Sequence, residues 1–248
     1  MCCLFGFIDY AGSLSVKQKS RLIRELSIAA EVRGTDATGV AYNTSRGLQI
    51  YKRPLAAHRL HLRIPAEAHV VMGHTRMTTQ GSAKKNFNNH PFFGRVKGKT
   101  FALAHNGVLW NDLEQRHAKH LPRTKVQTDS FIAVQLIEQQ KALDFSSLRY
   151  TAEAVEGSFS FTVLSERDDL YLIKGDNPLN IVHFPKVGVY AYASTSEILN
   201  KALARCGNWL GGGEKVAVEM GDIVKIDSNG RITRGTFDAS KFYRSSWG

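Results

Sequence analysis

Cysteine is scarce in this 248-residue sequence, and it lacks long apolar runs. The three cysteines, Cys2, Cys3 and Cys206, cannot form a fully paired disulfide set, which argues against a secreted disulfide scaffold and favours a reducing compartment. The apolar stretch at residues 2–8 is too short for a membrane span or a signal peptide, and no later run approaches bilayer length. The sequence therefore predicts a cytoplasmic protein without a membrane segment.

Acidic residues are in the minority, because 33 lysines and arginines outnumber 22 aspartates and glutamates and give a net charge of +11. Such an excess attracts polyanions through long-range electrostatics. The basic residues are scattered along the chain, however, and the densest cluster, within positions 84–99, contains no recognised nucleic-acid-binding motif. Nucleic-acid binding is therefore disfavoured, and a non-catalytic basic binding module is the weakest functional hypothesis.

Repeats, low-complexity tracts and proline- or serine-rich linkers are also absent, so residues 1–248 are expected to form one domain. Hydrophobic periodicity predicts a first strand in CLFGFI and a helix over residues 15–33. It then predicts a hairpin formed by GVAYN and LQIYK and a buried strand in AHVVMGH. The segment at 73–94 is irregular after Arg76, which is typical of a binding loop.

The second half of the sequence predicts a further series of strands and helices. FALAH and VLW are interpreted as a hairpin around Asn106 and Gly107, because Asn-Gly between apolar residues is a strong hairpin signal. Helices are expected over residues 129–143, 148–155 and 197–205, and strands in SFSFTVL, LYLIK, NIVHF and VGVYAYA, with a last hairpin from DIVKID and RITR. Strands and helices come in runs, which favours an α+β fold.

Two cysteines directly follow the initiator methionine in the opening MCCLFGF. Removal of Met1 would leave Cys2 with a thiol and a free α-amino group, which titrate near about 8.5 and about 8 respectively. The amine can then accept the thiol proton, so nucleophile and base meet in one residue. A buried structural thiol and a lipidation site are the alternatives for Cys2.

Further motifs follow this opening in order: RGTDATG at 33–39, GHTRMTTQG at 73–81, NNHPF at 88–92, AHNG at 104–107, TDS at 128–130 and YASTSEIL at 192–199. Together they resemble the successive motifs of the class II glutamine amidotransferases, the N-terminal-nucleophile glutaminase domains. The resemblance extends from Cys2 to about position 230. It implies a four-layer αββα sandwich with two mainly antiparallel sheets.

The resemblance also implies roles for the catalytic residues. It places the nucleophile at Cys2, whereas Cys3 occupies a position where relatives usually carry glycine. The side-chain amide of Asn106 and the N–H of Gly107 would stabilise the oxyanion of the tetrahedral intermediate. A hairpin turn that fixes Asn106 is compatible with this role, and a hairpin role alone is the alternative.

Substrate binding is assigned by the same resemblance. Arg76 and Asp129 would hold the carboxylate and the ammonium of glutamine, since a planar guanidinium suits a carboxylate. The backbone of Thr78 and Thr79 would complete the substrate loop, with Gln80 where several relatives carry histidine. The alternatives are a surface ion pair for Arg76 and a helix-start role for Asp129.

Two supporting residues complete the predicted site. Arg33 matches the family arginine that helps to organise the N-terminal region, although a helix-end role is equally open. His90 anchors the irregular loop through the NNHPF motif.

Neither a metal nor a cofactor is expected. His58 with His61 and His117 with His120 have spacings that could bind a metal, but neither pair has a neighbouring set of cysteines or carboxylates. Solvated helix faces explain these histidines better.

The glutaminase pattern accounts for almost the whole sequence, so no synthase domain is expected. The leading hypothesis is a stand-alone enzyme that releases glutamate and ammonia from glutamine through a thioester, with ammonia passed to a separate synthase protein. The alternative enzyme is a hydrolase of another γ-glutamyl amide on the same fold. The sequence does not predict the oligomeric state.

Overall fold

The computed structural model describes residues 2–244, so the predicted removal of Met1 concerns a residue outside this range. The strands are β1 (Cys3–Asp9), β2 (Ala37–Thr44), β3 (Gly47–Arg53), β4 (Val70–Arg76), β5 (Phe92–Val96), β6 (Lys99–Leu109), β7 (Gly157–Ser165), β8 (Leu170–Lys174), β9 (Asn180–Phe184), β10 (Val189–Ala193), β11 (Glu214–Val216), β12 (Asp222–Ile226) and β13 (Ile232–Thr236). The helices are α1 (Val16–Ala29), α2 (Asp112–Ala118), α3 (Phe131–Gln140), α4 (Phe145–Ala154), α5 (Ser196–Cys206) and α6 (Ser240–Arg244). Short 3-10 segments lie at Ala30–Arg33, Ala57–Arg59, Asn86–Asn88 and Asn208–Leu210.

The strands form two antiparallel sheets. The first has the order β11-β9-β10-β1-β4-β2-β3, and the second has the order β13-β12-β8-β7-β6-β5. One apolar cluster joins the two sheets, a second packs the first sheet against α1 and α5, and a third packs the second sheet against α3 and α4. The predicted four-layer αββα arrangement of an α+β protein is thereby confirmed.

Strand β1 lies inside the first sheet, between β10 and β4. All seven of its residues are buried, because both faces of the strand are covered. Phe5 and Phe7 point toward the helical layer, whereas Leu4 and Ile8 point toward the second sheet. This placement gives Cys2, directly before β1, a rigid support.

Helix α1 begins where the sequence provides a capping box. The Ser15 side chain accepts a hydrogen bond from the backbone N–H of Gln18, and the Gln18 side chain accepts one from the N–H of Ser15. Leu22, Ile23 and Leu26 then face the first sheet, as predicted from their spacing. Before α4, Asp144 forms the corresponding box with Ser147.

The predicted hairpin around Asn106 and Gly107 is wrong. Both residues lie within β6, which pairs without interruption with β7, Gly107 opposite Phe159. The chain reverses instead at Lys97 and Gly98, whose φ angles of 46° and 83° fit a two-residue hairpin between β5 and β6. A left-handed lysine before glycine is a weaker sequence signal than Asn-Gly, and β5 was therefore missed together with α2, β11 and α6.

Candidate active site

Cys2 directly precedes β1, and both its side chain and its backbone carbonyl form hydrogen bonds. Its thiol donates a hydrogen bond to the carbonyl of Met77 at 3.5 Å. Its own carbonyl accepts a hydrogen bond from Arg33 Nε at 2.8 Å. Burial raises the pKa of the Cys2 thiol, although the nearby positive charge of Arg76 opposes this effect. The thiol is therefore mainly protonated at neutral pH and needs a base to become a nucleophile.

The other two cysteines are poorly suited to nucleophilic chemistry. Cys3 and Cys206 are almost completely buried, and burial raises the pKa of each thiol to about 11. Cys3 packs in the apolar cluster between the first sheet and its helices, so its side chain is accommodated in the core. Cys2 is partly exposed, unlike these two.

A narrow cavity adjoins Cys2. Its walls come from the N-terminus, the end of β4, the following loop, β6 and the segment before α3. They comprise Cys2, Arg76, Met77, Thr79, Gln80, His90, His105, Gly107, Thr128, Asp129 and Ser130. The structure thus brings together six of the predicted site residues. The remaining three, Arg33, Thr78 and Asn106, lie outside the lining.

Arg76 ends β4 and is only 3% exposed, which excludes the surface ion pair. Its Nη1 donates to Asn89 Oδ1 at 2.7 Å, and its Nη2 donates to the carbonyl of Gln80 at 2.5 Å. Burial lowers the pKa of Arg76, opposed by Cys2, Asp36 and Asp129, but a guanidinium stays charged in proteins. These contacts fix the plane of the guanidinium and leave further donors for a ligand.

Asp129 precedes α3 but does not cap it with its side chain. Its Oδ2 accepts a hydrogen bond from the backbone N–H of Leu109 at 2.6 Å, at the end of β6. The backbone N–H of Asp129 donates to Gln80 Oε1 at 2.7 Å. Gln80 therefore links the loop after β4 to the segment that carries Asp129.

The exposed loop after β4 is tied to a second motif. The backbone N–H of Thr78 donates to Asp36 Oδ2 at 2.7 Å, within RGTDATG. Thr79 lines the cavity, whereas Thr78 does not. The contact to Asp36 orders the loop at the mouth of the cavity.

Asn106 is completely buried beside the start of β1. Its Nδ2 donates to Ser194 Oγ at 3.5 Å, and the same hydroxyl accepts a hydrogen bond from the backbone N–H of Leu4 at 2.9 Å. Asn106 Oδ1 has no hydrogen-bond partner among residues 2–244. Gly107 has a φ of 143°, and an added Cβ would lie 1.8 Å from the Ser158 carbonyl, so only glycine fits there.

Three buried histidines lie close together, and two of them, His90 and His105, line the cavity. The rings of His74 and His90 lie 4.2 Å apart, and His105 Nδ1 is 2.8 Å from Ser130 Oγ. Burial lowers the pKa of His74 to about 3 and that of His90 and His105 below the usual range, so the three rings are neutral. Both ring nitrogens of His90 are without a protein partner in the described range.

The described residues hold no group of three histidines, cysteines or carboxylates arranged for a metal. His58 contacts Glu31 instead, with its Nδ1 2.9 Å from Oε1. None of the helices within residues 2–244 is long and apolar enough to cross a membrane.

Sequence reasoning missed His105, Ser130 and Ser194 as individual residues. Each lies inside a motif that was recognised as a block, namely AHNG, TDS and YASTSEIL. Since Ser194 reaches Asn106 from a position 88 residues away in the chain, only the fold shows that these motifs meet.

Comparison with protein families gives a match over residues 21–169, which is more than half of the chain. The matching family model is described as class-II glutamine amidotransferases. The match includes the segments that carry Arg76, Asn106, Gly107 and Asp129.

Two similar curated proteins are glutamine--fructose-6-phosphate aminotransferases (isomerizing). That of Halalkalibacterium halodurans is 30% identical over 184 residues, which are 70% of this chain and 29% of that protein. That of Sulfurisphaera tokodaii is 29% identical over 194 residues, which are 73% of this chain and 31% of that protein. The chain therefore spans less than a third of the length of these relatives.

Solved structures share the fold. Glutamine phosphoribosylpyrophosphate amidotransferase from B. subtilis, complexed with ADP and GMP, gives a TM-score of 0.72 at 18% identity, over 96% of this chain and 49% of that chain. A protein from Pseudomonas aeruginosa PA01, described as a predicted glutamine amidotransferase, gives 0.53 at 16% identity, over 93% of this chain and 94% of that chain. The predicted sandwich is thus the architecture of amidotransferases.

Proposed function

The chain belongs to the class II glutamine amidotransferases, which are enzymes of the N-terminal-nucleophile type. On this basis we propose that it hydrolyses glutamine to glutamate and ammonia through a thioester on Cys2. The observation that carries this proposal is the shared cavity of Cys2, Arg76, Gly107 and Asp129. A thiol, a guanidinium and a carboxylate around one narrow space suit an amide substrate with a carboxylate and an ammonium at one end.

The proposed reaction begins at the amino group of Cys2 after Met1 has been removed. The amine accepts the thiol proton, and the thiolate attacks the side-chain amide carbon of glutamine. The oxyanion accepts hydrogen bonds from the Asn106 side-chain amide and the Gly107 N–H. As the carbon–nitrogen bond breaks, the protonated amine gives its proton to the leaving ammonia. Water then hydrolyses the thioester, which releases glutamate and restores the thiol.

Substrate binding is proposed to involve Arg76 at the glutamine carboxylate and Asp129 at its ammonium. The backbone of Thr78 and Thr79 would close the site, because Thr79 lines the cavity and Thr78 is held by Asp36. Arg33 supports Cys2 through its carbonyl, and His90 forms part of the wall.

Replacement of Arg76 by lysine is expected to raise the KM for glutamine about tenfold or more, because a lysine cannot reproduce a bidentate contact with a carboxylate. Steady-state glutamine hydrolysis by the variant and the parent measures this effect. Arg63→Lys, at an exposed position, is the matched control and should leave KM unchanged. An unaltered KM in Arg76→Lys would remove this residue from the substrate site.

Ammonia transfer to a separate acceptor protein is also part of the proposal. Seven large apolar side chains within residues 2–242 are exposed, and two of them, Tyr51 and Phe93, are stacked with the guanidinium groups of Arg53 and Arg95. The other five exposed side chains lie on segments next to the site. They are Val32, Met77, Val108, Trp110 and Leu113. Exposed apolar side chains of this kind suit a surface that a partner protein covers, and we propose that this partner receives ammonia.

The proposed setting of the enzyme is a reducing, cytoplasmic compartment. Three free cysteines and a mechanism that needs a reduced thiol support this setting. The same cavity would serve the alternative substrate, another γ-glutamyl amide. A comparison of kcat/KM for glutamine and a γ-glutamyl anilide distinguishes the two, and a higher value for the anilide would favour the alternative.

The position of the free amine provides a direct test of the mechanism. A chain with a short N-terminal extension before Cys2 is expected to be inactive, because its α-amino group no longer belongs to the nucleophile. A protease site that ends directly before Cys2 provides the control, since cleavage should restore ammonia release. Intact mass reports which form is present. Equal activity of the extended and cleaved chains would contradict the mechanism.

A further inference from the structure

The backbone of the NNHPF segment accepts hydrogen bonds from Lys52, a residue that has no role in the proposed mechanism. Lys52 lies in β3, and its Nζ donates to the carbonyls of Asn89 and Pro91 at 2.5 Å and 2.9 Å. The same ammonium lies 5.1 Å from the centre of the Phe92 ring. One side chain therefore holds both ends of the Asn89–Pro91 tripeptide.

This tripeptide is connected to the substrate cavity in two ways, through a contact with the cavity residue Arg76 and through His90. Asn89 Oδ1 accepts the 2.7 Å hydrogen bond from Arg76 Nη1. The His90 ring lines the cavity directly. The Lys52 ammonium therefore holds the backbone of Asn89, and the side chain of Asn89 in turn holds the guanidinium of Arg76, which lines the cavity.

Packing against strand β2 restricts the position of the tripeptide backbone. A Cβ on Gly39, in the neighbouring strand β2, would lie 2.1 Å from the His90 carbonyl oxygen. The His90–Pro91 backbone therefore packs directly on β2, and Lys52 is the register partner of Gly39 in β3. Backbone packing sets the distance of the tripeptide from the sheet, and the lysine sets its orientation.

Lys52 has no carboxylate partner within residues 2–244. The titratable groups that act on it are Arg76, which is cationic, and the neutral rings of His74 and His90. A partly buried ammonium without a counter-ion is costly, and here its hydrogen bonds go to the loop backbone alone. Burial, with a smaller contribution from Arg76, lowers the pKa of Lys52 to about 8.

We propose that Lys52 is a positioning residue for glutamine binding, which fixes Asn89 and thereby the plane of the Arg76 guanidinium. The inference rests on the proposed function and adds a specific residue to it. Loss of the ammonium proton as pH rises through about 8 removes a charged donor from the two carbonyls. The KM for glutamine therefore increases above this pH, whereas deprotonation of the Cys2 amine, near about 8, increases kcat.

Lys241 offers a matched control at a distant place in the fold. Its Nζ also donates to backbone carbonyls, here the three of Ala152, Glu153 and Val155, and lies 5.5 Å from the centre of the Phe159 ring. Burial lowers the pKa of Lys241 as well. It belongs to α6 and does not line the cavity of Cys2.

The test compares KM and kcat for glutamine in the parent, Lys52→Met, Lys52→Arg and Lys241→Met. Lys52→Met is expected to raise KM about tenfold, with a much smaller change in kcat. Lys52→Arg, which cannot lose its charge, should retain a KM near that of the parent at pH 7 and show no increase above pH 8. Lys241→Met should lower the melting temperature without changing KM.

The outcomes separate the two proposals. A parent chain without glutamine hydrolysis overturns the proposed function. An active parent whose KM is unchanged in Lys52→Met, or an equal KM increase in Lys241→Met, overturns the positioning role alone. A KM of Lys52→Arg that still increases above pH 8 also overturns it.

Discussion

Replacement of Cys2 by alanine is expected to lower the kcat of glutamine hydrolysis by about 10⁴-fold or more, because removal of a covalent nucleophile eliminates the acyl-enzyme path. The fold should persist, since Cys2 precedes β1 and contributes no side chain to the apolar clusters. Steady-state ammonia release, together with a thermal melt of parent and variant, measures both properties.

Cys3 provides the adjacent control for this experiment. Its thiol is completely buried, and burial raises its pKa to about 11, so it cannot supply a thiolate at neutral pH. Cys3→Ala should therefore retain turnover while losing some stability through weaker packing. An electrophilic glutamine analogue should label Cys2. Its attachment to Cys3 or Cys206, or full turnover by Cys2→Ala, would reverse the assignment of the nucleophile.

The layers of the fold were predictable because strands and helices with one buried face carry apolar residues at regular spacings in the sequence. Strand β1 and helix α1 carry apolar residues at spacings that match their buried faces. The AHNG segment shows where local reasoning fails. Asn-Gly favours a tight turn locally, but nine residue pairs between β6 and β7 override this preference and keep the strand extended. The reversal moves to Lys97 and Gly98, which carry a weaker signal.

The residues of the candidate site that lie in sequence motifs were predictable, whereas the residues that hold them in position were not. Cys2, Arg76, Gly107 and Asp129 lie in recognisable motifs and share one cavity. Lys52 was missed because it lies 37 residues from Asn89 in the chain, in an ordinary strand pattern. Contacts between a side chain and a distant backbone carbonyl leave no local pattern in the sequence. The supporting contacts of the site therefore require the fold.

Asn106 can now be tested as an oxyanion donor without the turn as a competing explanation. It lies in β6, completely buried, with its Nδ2 directed to Ser194 Oγ beside the start of β1. Removal of one oxyanion donor typically lowers kcat by about 10²–10³-fold, or roughly 2.7–4 kcal/mol. Asn106→Ala should show a decrease of this size, with a smaller change in KM because the donor acts mainly on the charged intermediate.

Loss of a buried asparagine also affects stability, and Asn43 separates this effect from catalysis. Asn43 is likewise buried, its Oδ1 lacks a protein partner within the described residues, and its Nδ2 donates to Ser165 and Asp168 in place of Ser194. Both alanine variants leave buried groups unpaired, at about 1–3 kcal/mol each, so both should melt at lower temperature. Only Asn106→Ala should lose kcat, because Asn106 precedes the cavity residue Gly107 and contacts Ser194 beside the start of β1, whereas Asn43 lies in β2. Equal kcat losses in the two variants would make the effect of Asn106 structural, and an unchanged kcat in Asn106→Ala would exclude its side chain from the oxyanion hole.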